Sequence, residues 1–125
     1  MDLGIQGKKA MLAASTSGLG LACATALARE GCRVYINGRD ADRLRQAHQR
    51  ITRETGAEVI AVQADINTPE GREILIQSCP EADILVNNNA GPPPGNLADW
   101  DHAAWISALE ANLLAPVLLI RALLP

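Results

Sequence analysis

Short, nearly unbroken apolar runs alternate along this chain with longer stretches of helical spacing. That alternation limits the available folds more than any single motif does. The runs are KKAMLAA (8–14), CRVYIN (32–37), EVIAVQAD (58–65) and DILVNN (83–88). Each has the length of a strand and is apolar on both faces, as in a parallel sheet covered by helices on either side. Between them, LGLACATALAREG (19–31) is rich in Ala and Leu and stops at a glycine. ADRLRQAHQRITRETG (41–56) sets Leu44, Ala47 and Ile51 on one face among charges, and TPEGREILIQSC (68–79) opens on a threonine cap followed by proline. DHAAWISALEANLLAPVLLIRALL (101–124) begins at an aspartate cap and reads as one long helix.

Strands alternating with helices at this spacing predict βαβ units. The fold class is therefore α/β, a Rossmann-type doubly wound parallel sheet in three layers, here its first half with about four strands and four helices. Residues 1–125 make one domain. Hydrophobic residues at 48% and charged residues at 20% suffice for a core. A net charge of −3 without a basic cluster offers no attraction to nucleic acid. The longest apolar run, LLAPVLLI (113–120), is shorter than the roughly 20 residues a bilayer needs. Three unpaired, widely spaced cysteines (Cys23, Cys32, Cys79) read as buried, reduced thiols, and MDLGIQGKKA lacks the apolar stretch of a secretory leader. These features predict a cytoplasmic protein.

The turn after the first strand carries the first chemical signal. STSGLG (15–20) follows a strand and opens a helix, the context a dinucleotide-binding turn requires. Gly18 and Gly20 allow backbone approach to a pyrophosphate, and the helix N-terminus offers free N–H groups to it. Ser15, Thr16 and Ser17 are expected to add hydroxyl donors, with Leu19 between the two glycines. Ala14 stands where the first glycine of such a turn belongs. The second strand ends in NGRD (37–40). The slot for an acidic residue that would hold a ribose 2′-hydroxyl falls at or near Gly38, and Arg39 follows it, which suits a 2′-phosphate and so NADP(H) rather than NAD(H). Asp40 as the ribose ligand, and Arg39 paired to Asp40 or Asp42 on the surface, are the competing readings.

Taken together, AASTSGLG, NGR, ADI (64–66), DILVNN and the Asn112 of EANLL resemble the short-chain dehydrogenase/reductase family, classical type, in order and over essentially the whole chain. Within it the chain is similar to the 3-oxoacyl-acyl-carrier-protein-reductase-like group. The resemblance implies hydride transfer between NADP(H) and a small carbonyl or alcohol substrate, in an enzyme about twice this length and usually a homo-oligomer. It further implies that Asp65 accepts from the adenine amino group with Ile66 beside the ring, and that Asn112 holds a water in a proton relay. The family's Asn-Asn-Ala-Gly maps either onto Asn87, Asn88, Asn89 and Ala90 or, one residue on, onto Asn88 to Gly91.

The same resemblance calls for a serine and a Tyr-x-x-x-Lys. The only tyrosine is Tyr35, the only lysines are Lys8 and Lys9, and His48 and His102 read as solvated helix residues. No metal-ligand cluster is apparent. The expectation is a cofactor-binding half, inactive alone, whose apolar last helix is covered by further chain or a complementing C-terminal chain. A truncated or degenerate non-catalytic module for nucleotide binding or assembly is the alternative.

Overall fold

A computed structural model describes all residues, 1–125. Its strands β1 (Lys9–Leu12), β2 (Arg33–Gly38), β3 (Val59–Gln63) and β4 (Ile84–Val86) form one parallel sheet in the order β3-β2-β1-β4. The reversal of strand order lies between β1 and β2 on one side and β4 on the other, where open α/β sheets place their ligands. The strands are shorter than the apolar runs. β4 in particular pairs only along Ile84–Val86, which leaves Asn87, Asn88 and Asn89 beyond the ladder.

Alternation along the strands sorts the core into two faces. Ala10, Leu12, Val34 and Ile36 face helices α1 (Gly18–Arg29) and α2 (Ala41–Thr55), packing on Ala24, Ala28, Leu44, Ala47 and Ile51. Met11, Ala13 and Tyr35 face the other way, toward Leu75 of α3 (Pro69–Ser78) and Leu119 of α5 (Ala115–Leu123). The caps read from the sequence do their work. Thr68 accepts the Gly71 N–H at 3.0 Å, Asp101 accepts that of Ala104 at 2.9 Å, and Gly56 closes α2 at φ 68°. Cys32 and Cys79 are buried, but Cys23 lies on the outer face of α1 and is exposed.

The last helix departs from a single α-helix. α4 (His102–Leu109) passes into a π-helical turn, Glu110–Leu114, before α5. The whole runs continuously from His102 to Leu123, with a mean hydropathy of 1.7 over 18 residues, so by length and composition it is enough to cross a bilayer. The eight-residue run had understated it, because the turns before Leu113 are themselves apolar. Its outward side chains, among them Trp105, Ile106, Leu109, Leu113 and Val117, are exposed. The apolar surface foreseen for this helix is therefore real.

Candidate cofactor groove

At the C-terminal ends of β1, β2 and β3 lies a groove of about 370 Å3. Its floor is the turn between β1 and α1. Ala14 has φ 47°, the left-handed conformation that glycine adopts without penalty. Two asparagines hold it there: Asn37 Oδ1 accepts the Ala14 N–H at 3.1 Å, and Asn88 Nδ2 donates to the Ala14 carbonyl at 2.9 Å. Gly20 closes the turn, since a Cβ there would overlap the Ala14 carbonyl and come within 2.8 Å of Asn88 Nδ2. The left-handed conformation that glycine adopts freely is thus held at Ala14 by side-chain hydrogen bonds.

The three hydroxyls of the turn are not equivalent. Ser15 is wholly buried; its Oγ donates to the Leu12 carbonyl at 2.9 Å and accepts the Asn37 N–H at 2.8 Å. It ties β1 to β2 and does not reach the groove, which corrects its assignment as a phosphate donor. Thr16 and Ser17 line the groove with Leu19. Ser17 occupies the N-cap of α1 without making a side-chain cap bond. The first helical return is Leu21 N–H to the Ser17 carbonyl, so the amides of Gly18, Leu19 and Gly20 have no helical acceptor. Together they form an anion-accepting end.

The rim beyond β2 separates the roles of residues 38–43. At Gly38 a Cβ would overlap the Thr16 methyl, so a larger residue in the acidic slot requires Thr16 to turn aside. Asp40 spends Oδ1 on the Asp42 and Arg43 amides, at 2.9 and 3.0 Å, as the N-cap of α2, and Asp42 pairs with Arg45. Neither neighbouring aspartate ties down Arg39, which lines the groove and joins none of the salt bridges. Arg43, which the motif reading passed over, lines the groove beside it. One helical turn after Arg39, it is recognisable only once α2 is known to start at the rim.

Across the groove, Asp65 accepts the Asn67 N–H on Oδ1 at 3.0 Å and lines the wall. Ile66 is only 5% exposed and packs mainly in the core with Leu75, contributing an edge to the groove. Asn88, Asn89 and Ala90 also line it, whereas Asn87 is exposed outside it. Gly91 and Asn112 belong to an adjoining cavity of about 310 Å3, which shares Asn67 and Ala90 with the groove. Pro92, Pro93 and the edge-to-face pair Trp100 and Trp105 wall that cavity, and no charged side chain lines it. Asn112 donates to the Ala108 carbonyl at 3.2 Å and, at 3.5 Å, toward that of Ala90.

Asn37 is the residue the sequence reading missed at the centre of this arrangement. Buried in β2, its Nδ2 also donates to the Val62 and Ala64 carbonyls, both at 3.1 Å. A lone amide inside an apolar strand was its only sign. His48 is likewise not simply solvated, because Nε2 lies 2.9 Å from the Val59 carbonyl. Tyr35 is buried on the sheet face away from α1, and burial, with Cys79 in the same cluster, pushes its phenol above the usual value. It is a core residue.

A sequence model of the family described as short chain dehydrogenase matches residues 8–125. The oxidoreductase YvaG of Bacillus subtilis is 38% identical over 122 residues, 97% of this chain and 46% of its own. L-Sorbose reductase of Gluconobacter frateurii, solved with NADPH and L-sorbose, superposes with a TM-score of 0.92 at 35% identity, over 98% of this chain and 48% of that one. RhlG of Pseudomonas aeruginosa, in an NADP complex, gives 0.87 at 27% identity, over 97% and 48%. The chain spans about half the length of the relatives it matches. The superpositions take in the long apolar helix, which belongs to the layer covering the sheet.

Proposed function

The chain belongs to the short-chain dehydrogenase/reductase family, and on that premise we propose that it is the NADP-binding half of an oxidoreductase acting on a carbonyl or alcohol. The observation that carries the cofactor reading is the rim at Gly38, Arg39 and Arg43. Gly38 puts no carboxylate in the acidic slot, and the Arg39 and Arg43 guanidiniums border the groove beside it, together with Asp40, whose Oδ1 caps α2. A carboxylate in that slot would repel a 2′-phosphate, whereas an arginine fork offers it paired donors.

Bound NADP(H) supplies the hydride donor or acceptor. The amides of Gly18, Leu19 and Gly20, with the Thr16 and Ser17 hydroxyls, would hold its pyrophosphate. Asp65 would accept from the adenine amino group beside Ile66, and Asn88, Asn89 and Ala90 would border the cofactor farther along. Asn112 faces the uncharged, tryptophan- and proline-walled cavity next to the groove, a setting for a neutral carbonyl compound, the 3-oxoacyl type among them. Reduction also needs a proton donor near the carbonyl. With Tyr35 in the core, this chain has no tyrosine to offer one, so turnover would draw on residues supplied by additional chain or by a complementing C-terminal chain.

Titration of the protein with NADPH and NADH tests the reading. Tighter NADPH binding is expected, and equal affinities would refute the role of Arg39. A serine and a Tyr-x-x-x-Lys in adjoining chain or a co-purifying subunit would separate the enzyme from the non-catalytic module.

A further inference from the structure

The π-helical turn at Glu110–Leu114 has a definable cause. In an α-helix the Ala111 carbonyl accepts from residue 115, and in a π-helix from residue 116. Here the Ala115 N–H goes to the Glu110 carbonyl, and residue 116 is proline, with no N–H to give. Ala111 is 9% exposed, so its carbonyl is largely shielded from water and needs a donor from elsewhere. Asn89 provides it: Nδ2 lies 3.0 Å from the Ala111 carbonyl and 2.7 Å from Asn67 Oδ1. Asn89 Oδ1 accepts the Ala90 N–H at 2.9 Å. Two backbone groups of fixed polarity, a carbonyl on one side and an amide on the other, set which end of the carboxamide faces which. Both its donors and its acceptor are thereby occupied.

The residue after Ala111 is Asn112, which extends toward the Ala90 carbonyl. Asn89 thus grips the π turn one position before Asn112, and its own neighbour Ala90 receives Asn112 from the opposite side. We propose that Asn89 is a positioning residue. It replaces the backbone donor that Pro116 withholds from Ala111, and so fixes the π turn and the direction in which Asn112 faces the cavity. Its consequence for a reaction rests on the preceding reading of that site; the hydrogen-bond relationship does not. Neither alanine nor aspartate could substitute. Alanine would strand the Ala111 carbonyl, and an ionised aspartate would set a third acceptor against two others.

The test compares four proteins: the parent, Asn89→Ala, Pro116→Ala and the double variant. Asn89→Ala is expected to lower the thermal midpoint by several degrees, on the order of 5 °C. In the Pro116→Ala background the same change should cost less than about half as much, because residue 116 again carries an N–H. Equal shifts in both backgrounds would overturn the proposal. The side-chain amide resonances of Asn112 should move in Asn89→Ala, and unchanged resonances would remove the positioning role. Should a variant not fold, the parent alone decides. A scalar coupling across the hydrogen bond from Asn89 Nδ2 to the Ala111 carbonyl carbon is expected, and its absence sinks the idea. No readout involves nucleotide, so a failure to bind NADPH would refute the preceding reading and leave this one standing.

Discussion

Asn37 holds Ala14 in a left-handed conformation: its side-chain oxygen accepts the Ala14 N–H at 3.1 Å while Ala14 keeps φ 47°. An alanine there bears a cost of about 1 kcal/mol that glycine would not. Glycine returns roughly half of that through its freer unfolded chain. Ala14→Gly should therefore stabilise the protein by about 0.5 kcal/mol in denaturant titration, while Ala14→Val should lose at least about 2 kcal/mol through the β-branch. Marked destabilisation by glycine would show that the turn is not strained.

Cofactor choice should depend on two positions together. Gly38→Asp alone drives its Cβ into the Thr16 methyl and should weaken binding of both nucleotides. Combined with Thr16→Ser, which removes the methyl and keeps the hydroxyl, the aspartate should favour NADH. Arg39→Ala alone should cost NADPH about 10- to 100-fold in affinity, the worth of a hydrogen bond to a charged group, and leave NADH nearly unchanged. Calorimetric titration with each nucleotide measures both effects. Parallel losses for the two would place Arg39 away from the 2′-position.

Stability should fall on the alkaline side. Burial raises the Cys32 thiol above 9.0, helped by Glu30 and Asp83, and raises the Tyr35 phenol above 10.0, helped by Cys79. The folded chain then holds protons that the unfolded chain releases. The contribution is complete below about pH 8, where neither state has ionised appreciably, and is lost as pH rises through the unfolded values toward the folded ones. Urea midpoints should be level from pH 7 to about 8 and decline above. Cys32→Ala with Tyr35→Phe should flatten that decline, and an unchanged slope would assign it to other groups.

Arg72 is a buried cation whose Nη1 donates to the Ile66 carbonyl at 3.0 Å and to Glu110 Oε1 at 3.3 Å. Glu110→Ala removes the counter-charge and should cost roughly 2 kcal/mol, less than a fully buried pair because Glu110 is one-third exposed. Arg72→Met with Glu110→Leu should recover most of it, since no charge is then left unpaired. If Arg72→Met and Glu110→Leu made singly gave losses that simply add in the double variant, read by denaturant unfolding, coupling between α3 and the π turn would be contradicted.

Much of this architecture was present in local patterns. Alternating apolar runs and helical periods set the order of β1 to β4, and Thr68, Asp101 and Gly56 marked helix ends, because caps act on amides within a few residues of themselves. Gly20, Arg39 and Asp65 were singled out because each stands at a strand end or helix start, positions that spacing reveals, and the fold brings Arg39 and Asp65 to one groove. Ser15 was not correctly placed, since a hydroxyl in a turn points inward or outward depending on a strand 22 residues away. Asn37 escaped for the same reason, as did the grip of Asn89, itself named as a motif residue, on the π turn: their partners lie 23 and 22 residues distant.

By itself, the sequence determined a parallel α/β half-fold with a glycine-containing turn between β1 and α1, because periodicity and capping are local properties. Only the tertiary structure decided how that turn survives without its first glycine, which of its hydroxyls reach the groove, and how the helix of Asn112 is bent. Each depends on a buried backbone group finding its donor or acceptor on a distant strand or loop, and that pairing exists only once the sheet has assembled.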